Sequence, residues 1–228
     1  MIDPVRAREN TYVHGMLLEV ETLTKRFGDV TVLDRVSLAL EAGDVLALTG
    51  DSGSGKSTLL HIVAGLEARD AGAVRIDGVD VDTLDENARA TLRRERIGLV
   101  FQQFNLIPSL TVGQNLVFQA RLAGKEVPDV KTVAGPLGLE EHLAKFPEQL
   151  SGGQQQRVAI GRAIAGTPAL ILAAEPTGNL DEATGDAVFD LLLERARSAG
   201  AGLLIVTHSE RLAARADRRL HLSHGTLS

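Results

Sequence analysis

A chain of 228 residues, 44% hydrophobic and 24% charged and without an internal repeat, is large enough to bury one continuous core. Its formal charge of −6, spread over mixed signs, argues against a nucleic-acid partner, which would need a clustered basic face, and only 3% of its residues are aromatic. Having no cysteine, it has no disulfide, thiolate nucleophile or cysteine-ligated zinc, and no apolar run reaches the roughly 20 residues of a membrane-spanning helix.

Residues 1–15 are polar and aperiodic and read as a tail outside the fold. From Leu17 to Phe27 and from Thr31 to Leu40, Val, Leu and Thr alternate with charged residues, which predicts a small antiparallel sheet. The apolar run Val45–Thr49 then meets GDSGSGKST, which fits the phosphate-binding pattern G-x-x-x-x-G-K-[ST] between a strand and a helix that Gly65 ends. In this loop Gly50, Asp51, Ser52, Gly53, Ser54 and Gly55 let successive backbone N–H groups converge on an anion, and the helix start adds its dipole. Lys56 is placed to reach the β and γ phosphates, while Ser57, followed by Thr58, is placed to ligate Mg²⁺.

Further along, RRERI (residues 93–97) reads as a solvated helix face. Ile97–Phe101 is strand-like and ends on Gln102 and Gln103, either of which could approach a metal or an attacking water. LSGGQQQR, Leu150–Arg157, is a second anion-shaped helix start: Ser151 caps, Gly152 and Gly153 expose donors, and Gln154 follows. Spacing alone does not say whether it meets the first loop. The apolar runs Ala169–Ala173 and Leu203–Thr207 predict central parallel strands, separated by an amphipathic helix over Thr184–Ser198. In a doubly wound α/β domain the strand ends gather the chemistry, and here they carry Glu175, suited to orient or deprotonate water, and His208, a donor for a terminal phosphate. His221 and His224 lack a third ligand and read as surface residues.

LSGGQ resembles the signature of the ABC ATPases, and the similarity runs from about Leu17 onward. The resemblance implies a phosphate-loop α/β fold with a central, mostly parallel sheet, an N-terminal antiparallel subdomain, and an inserted helical subdomain over about residues 103–167 that touches a transmembrane permease. It implies a head-to-tail dimer of two ATPase subunits, each ATP and its Mg²⁺ lying between one chain's phosphate loop and the other's signature. By position, Phe27 resembles the aromatic that stacks on adenine and Gln102 the contact to Mg²⁺ and water. Glu175 matches the catalytic glutamate, Asp181 the carboxylate communicating across the dimer, His208 the switch histidine, and Ser151 and Gly153 the trans γ-phosphate contacts. The setting implied is cytoplasmic, at the inner face of the cell membrane. FQQFNLIPSLT and EPTGNLD look like the lipoprotein-release and macrolide-export branch. One departure stands out: LAAEP places Ala174 where the family usually has aspartate, which implies weaker positioning of the metal and slow turnover.

Overall fold

The structure, a computed structural model, describes residues 16–178 and 180–228; the expected tail, 1–15, and Asn179 of the GNLD motif lie outside the described residues. β1 (Met16–Phe27) and β2 (Val30–Glu41) form a hairpin, and β3 (Val45–Thr49) leads into α1 (Lys56–Val63). Next come β4 (Ala71–Ile76), β5 (Val79–Asp80), α2 (Glu86–Arg96) and β6 (Ile97–Val100). Between β6 and β7 (Leu170–Ala174) the described elements are α3 (Val112–Leu122), α4 (Val130–Ala134), short 3₁₀ turns and α5 (Gly152–Ile164). The chain closes with α6 (Glu182–Ala199), β8 (Gly202–Val206), α7 (Glu210–Ala213), β9 (Arg218–Ser223) and β10 (Thr226–Leu227).

Two sheets result: an antiparallel one in the order β2-β1-β4-β5, and a second in the order β10-β9-β3-β8-β7-β6 in which every pair except β9–β10 is parallel. All residues of β3 and β8 are buried, as expected of strands covered on both faces. Alternation then divides the core. Leu46, Leu48, Leu170, Leu172, Leu204 and Val206 pack with α1 and the antiparallel sheet, whereas Val45, Ile171, Ala173, Leu203 and Ile205 pack with α3, α5 and α6. By the same parity Ala174 falls on the α1 side.

Several boundaries differ from those the sequence suggests. β7 is displaced by one residue, because Ala174 still pairs with Val206 and Glu175 N–H donates to the Val206 carbonyl (2.9 Å), so Glu175 follows directly on the last strand residue. α6 starts at Glu182 because the Asp181 carboxylate accepts from Thr184 N–H (3.0 Å) and caps the helix. The RRERI segment is not simply solvated: Arg93 is half-buried and donates to the Gly65 carbonyl (2.7 Å), closing the end of α1. His221, although exposed, brings Nδ1 to 3.0 Å from Thr49 Oγ1 and so joins β9 to the end of β3. Strands β4, β5 and β9 escape the periodicity argument, being short or charged on their outer faces.

β6 passes close beneath α5 at Gly98, where an added Cβ would lie 2.5 Å from the Ala163 carbonyl oxygen and 2.9 Å from the Pro168 ring. Backbone cannot yield as a side-chain tip can. Gly98→Ala is therefore expected to destabilise the fold by about 1–3 kcal/mol in urea unfolding, and an unchanged midpoint would show that β6 and α5 separate freely.

Candidate functional site

The phosphate loop is folded around its lysine. Lys56 Nζ donates to the carbonyls of Gly50 (2.7 Å) and Asp51 (2.6 Å) and lies 3.3 Å from Ser54 Oγ. Gly50 and Gly55 have φ of +141° and +104°, and a Cβ on either would run into backbone, the Leu222 carbonyl in one case and that of Val32 in the other. Because Gly55 caps α1 without a side chain, the first N–H groups of the helix keep their capacity for an anion. Burial lowers the Lys56 pKa, with the Glu175 and Asp51 carboxylates opposing.

Above this loop opens a cleft of about 400 Å³. From the loop side its walls carry Phe27, Ser52, Gly53, Gly55, Lys56, Ser57 and Thr58; from the sheet edge they carry Gln102, Ala174, Glu175 and His208. The geometry also separates the two glutamines: Gln102 lines the cleft, whereas Gln103 faces only a neighbouring hollow that Ser57, Gln102 and Ala174 share. Phe27 is half exposed at the mouth, with the Lys25 ammonium 4.7 Å from its ring centre. Lys25 is itself held by Glu67 Oε1 (2.7 Å) and the Ala68 carbonyl (2.8 Å), so the ring has a fixed neighbour.

Glu175 adopts a left-handed backbone conformation, φ +46°, which aims its side chain into the cleft wall beside His208. Its Oε2 accepts from His208 N–H (3.3 Å), and its Oε1 lies 3.1 Å from His208 Nε2 without an aligned hydrogen bond. Oε1 is thus a buried acceptor with unused capacity. Burial pushes the Glu175 carboxyl above its ordinary range, while the His208 ring, its backbone N–H and Lys56 pull the other way. A carboxylate of this kind is a better base toward water than a solvated one.

Asp181 lies in an adjoining hollow that also touches Gln102, Glu175 and His208. The Thr184 hydroxyl and backbone N–H hold its carboxyl below the usual range. Ser151, Gly152, Gly153 and Gln154 form the start of α5 and do not line the cleft of their own chain. The two anion-shaped helix starts are therefore not brought together within one copy.

Four contributors fall outside the residues predicted from the sequence. Val32 and Val206 supply apolar wall, and their signal is only that of ordinary strand residues. Arg162, half-buried on α5, donates to the carbonyls of Asn105 (2.6 Å) and Phe104 (3.1 Å), tying the signature helix to the loop that follows Gln102. Lys25 had a signal in its place two residues before Phe27 on the same strand.

For Mg²⁺ the cleft offers the Ser57 hydroxyl and the Gln102 amide, oxygen donors of the kind it prefers, and Ala174 adds none. Among the described residues no cluster of three His, Cys, Asp or Glu is placed to hold a metal by itself. That fits an ion arriving with nucleotide phosphates, as Mg²⁺ commonly does.

The family model described as ABC transporter matches residues 33–178, from β2 through the phosphate loop and signature to the turn after Glu175. The chain belongs to the ABC transporter family. Similar proteins include an uncharacterized ABC transporter ATP-binding protein of Mycobacterium tuberculosis, 47% identical over 86% of this chain and 81% of that protein. The lipoprotein-releasing system ATP-binding protein LolD of Legionella pneumophila (strain Paris) is 43% identical over 94% of this chain and 98% of its own. Among solved structures, the dimeric ABC transporter cassette MJ0796 superposes with a TM-score of 0.85 at 36% identity, covering 92% of this chain and 96% of that one. The same cassette is also known as a post-hydrolysis dimer bound to ADP and Pi. This ABC chain has, among its described residues, no helix long and apolar enough to cross a membrane.

Proposed function

We propose that this cassette binds ATP in the cleft, pairs with a second copy around two nucleotides, and drives a separate membrane permease from the inner face of the membrane. The observation that carries the reading is the single cleft in which Phe27, the phosphate loop, Gln102, Glu175 and His208 converge while the signature of the same chain stays outside. A second copy turned head to tail supplies what is missing. Phe27 stacks on adenine, the loop N–H groups and Lys56 bind the phosphates, and Ser151 and Gly153 of the other copy face the γ-phosphate. Glu175 Oε1 orients water and takes its proton, His208 donates to the terminal phosphate, and Asp181, at the edge of the neighbouring hollow, faces the other copy. When bound with the nucleotide, Mg²⁺ offsets phosphate charge, with Ser57 and Gln102 as the protein groups that would hold it. The likeness to LolD places the chain near the lipoprotein-release branch; the substrate is a property of the permease.

Because Ser151 is exposed at the start of α5, Ser151→Arg is expected to leave ATP binding by the single chain intact and to abolish ATP-driven pairing by placing a bulky cation at the trans contact. Light scattering with and without nucleotide measures this directly. An ATP-dependent dimer of Ser151→Arg would remove the signature from the nucleotide interface.

A further inference from the structure

The signature turn is held by a histidine that none of the roles above uses. Ser151 N–H donates to Gln154 Oε1 (2.9 Å) and Gln154 N–H donates to Ser151 Oγ (3.3 Å), a reciprocal cap on α5. With Oε1 committed to Ser151, the amide nitrogen of Gln154 is the atom that faces His142, 2.9 Å from Nε2. An amide nitrogen only donates, so Nε2 accepts, and the ring is the neutral tautomer with its proton on Nδ1. That Nδ1 is buried and has no hydrogen-bond partner among the described residues. A buried polar atom left so lowers stability, and an apolar ring would pack there at less cost.

His142 ends the 3₁₀ turn Glu140–His142, and the residues after it are fastened to the start of α3: Gly113 N–H donates to the Leu143 carbonyl (3.0 Å) and Val112 N–H to that of Lys145 (2.8 Å). The ring thus connects the cap of the signature helix to a segment anchored elsewhere. We propose that His142 is a positioning residue for the signature: its Nε2 lone pair fixes the Gln154 amide, which in turn holds Ser151 and the following glycines in the geometry that closes on the partner copy's nucleotide. The inference rests on the reading of Ser151 and Gly153 as trans contacts. Without the acceptor on residue 142, the Gln154 amide loses one of its two tethers, and the cap competes with rotamers that release Ser151 N–H.

The test measures three quantities on the full chain: ATP-driven dimerisation by sedimentation, ATP affinity of the monomer by calorimetry, and thermal melting. His142→Phe keeps a planar ring, somewhat larger, and removes the acceptor; it is expected to weaken dimerisation about five- to tenfold for each of the two signatures in the dimer, the effect of one lost hydrogen bond apiece, at unchanged monomer affinity. Its melting temperature should hold or rise, since the unpartnered Nδ1 is gone. His142→Gln returns an acceptor oxygen at similar reach and should restore dimerisation to within about twofold of native, a residual below the effect of one hydrogen bond. In a Gln154→Ala background His142→Phe should have no further effect, as two changes on one chain of contacts do not add. Native-like dimerisation of His142→Phe, while Ser151→Arg still blocks it, overturns the inference. So does a lowered melting temperature with no rescue by glutamine, which marks a packing role only. Dimerisation indifferent to Ser151→Arg strikes the underlying reading instead.

Discussion

An Ala174→Asp variant is expected to hydrolyse ATP about 10² to 10³ times faster than the native chain, the cost typical of one missing preorganised group at a charged transition state. In free energy that is about 3–4 kcal/mol. Ala174 is the last residue of β7, on the face shared with α1, and it lines the nucleotide cleft and the hollow beside it together with Ser57 and Gln102. A carboxylate there joins the two neutral oxygen donors otherwise offered to Mg²⁺, while Glu175, the proposed base, is already in place. The hollow, at about 320 Å³, has room for the larger side chain. The new carboxylate also adjoins Glu175, whose own charge is already disfavoured by burial, so without nucleotide the variant should melt lower than native. Steady-state turnover across a magnesium titration is the deciding measurement. If the ion is only held loosely, excess Mg²⁺ lifts the native rate toward the variant; if its geometry is wrong, the gap persists. Equal rates at every concentration would mean that another group performs the missing role.

Lys56→Ala is expected to remove ATP binding at millimolar nucleotide. Lysine at this position contributes twice. It is a buried cation in the cleft, proposed to meet the phosphates, and it closes the loop by donating to Gly50 and Asp51. Each charge-assisted hydrogen bond that Lys56 would give a phosphate is worth about 1.5–3 kcal/mol, so losing two weakens binding by roughly 10² to 10⁴-fold. Removing Lys56 also leaves two carbonyls of the loop without a donor, so the glycine-rich segment relaxes and its N–H groups no longer converge. Calorimetry reads the loss, and circular dichroism should show the fold retained, since Lys56 belongs to neither core cluster. Unchanged affinity would remove GDSGSGKST from the nucleotide site.

Much of this was legible in the residues, for identifiable reasons. Val45–Thr49 and the phosphate loop were readable because the motif must sit between a buried strand and a helix start, and nearby residues build both. Ser151 as a cap was readable because capping is local, its partner lying three residues away. The apolar runs of β7 and β8 marked central strands since only a strand covered on both faces lacks alternation. Their ends were misjudged by one residue, because hydrogen bonding between strands, here Ala174 against Val206, decides where a strand stops.

The order of the central strands and their helices, the phosphate loop and the type of residue waiting at each strand end were therefore determined by the sequence alone, for each rests on periodicity or on contacts within a few positions. What only the tertiary structure decided are the meetings of distant residues. Gln102 rather than Gln103 enters the cleft, Glu175 settles against His208 33 positions later, and Phe27 comes to face the loop that begins at Gly50. His142 reaching Gln154, and Arg162 reaching back to Phe104 and Asn105, belong to the same class. Such pairs carry no signal in their spacing; for those at the cleft it is the parallel sheet that joins them, by bringing the ends of strands β3, β6, β7 and β8 together, while the signature does not line the chain's own cleft.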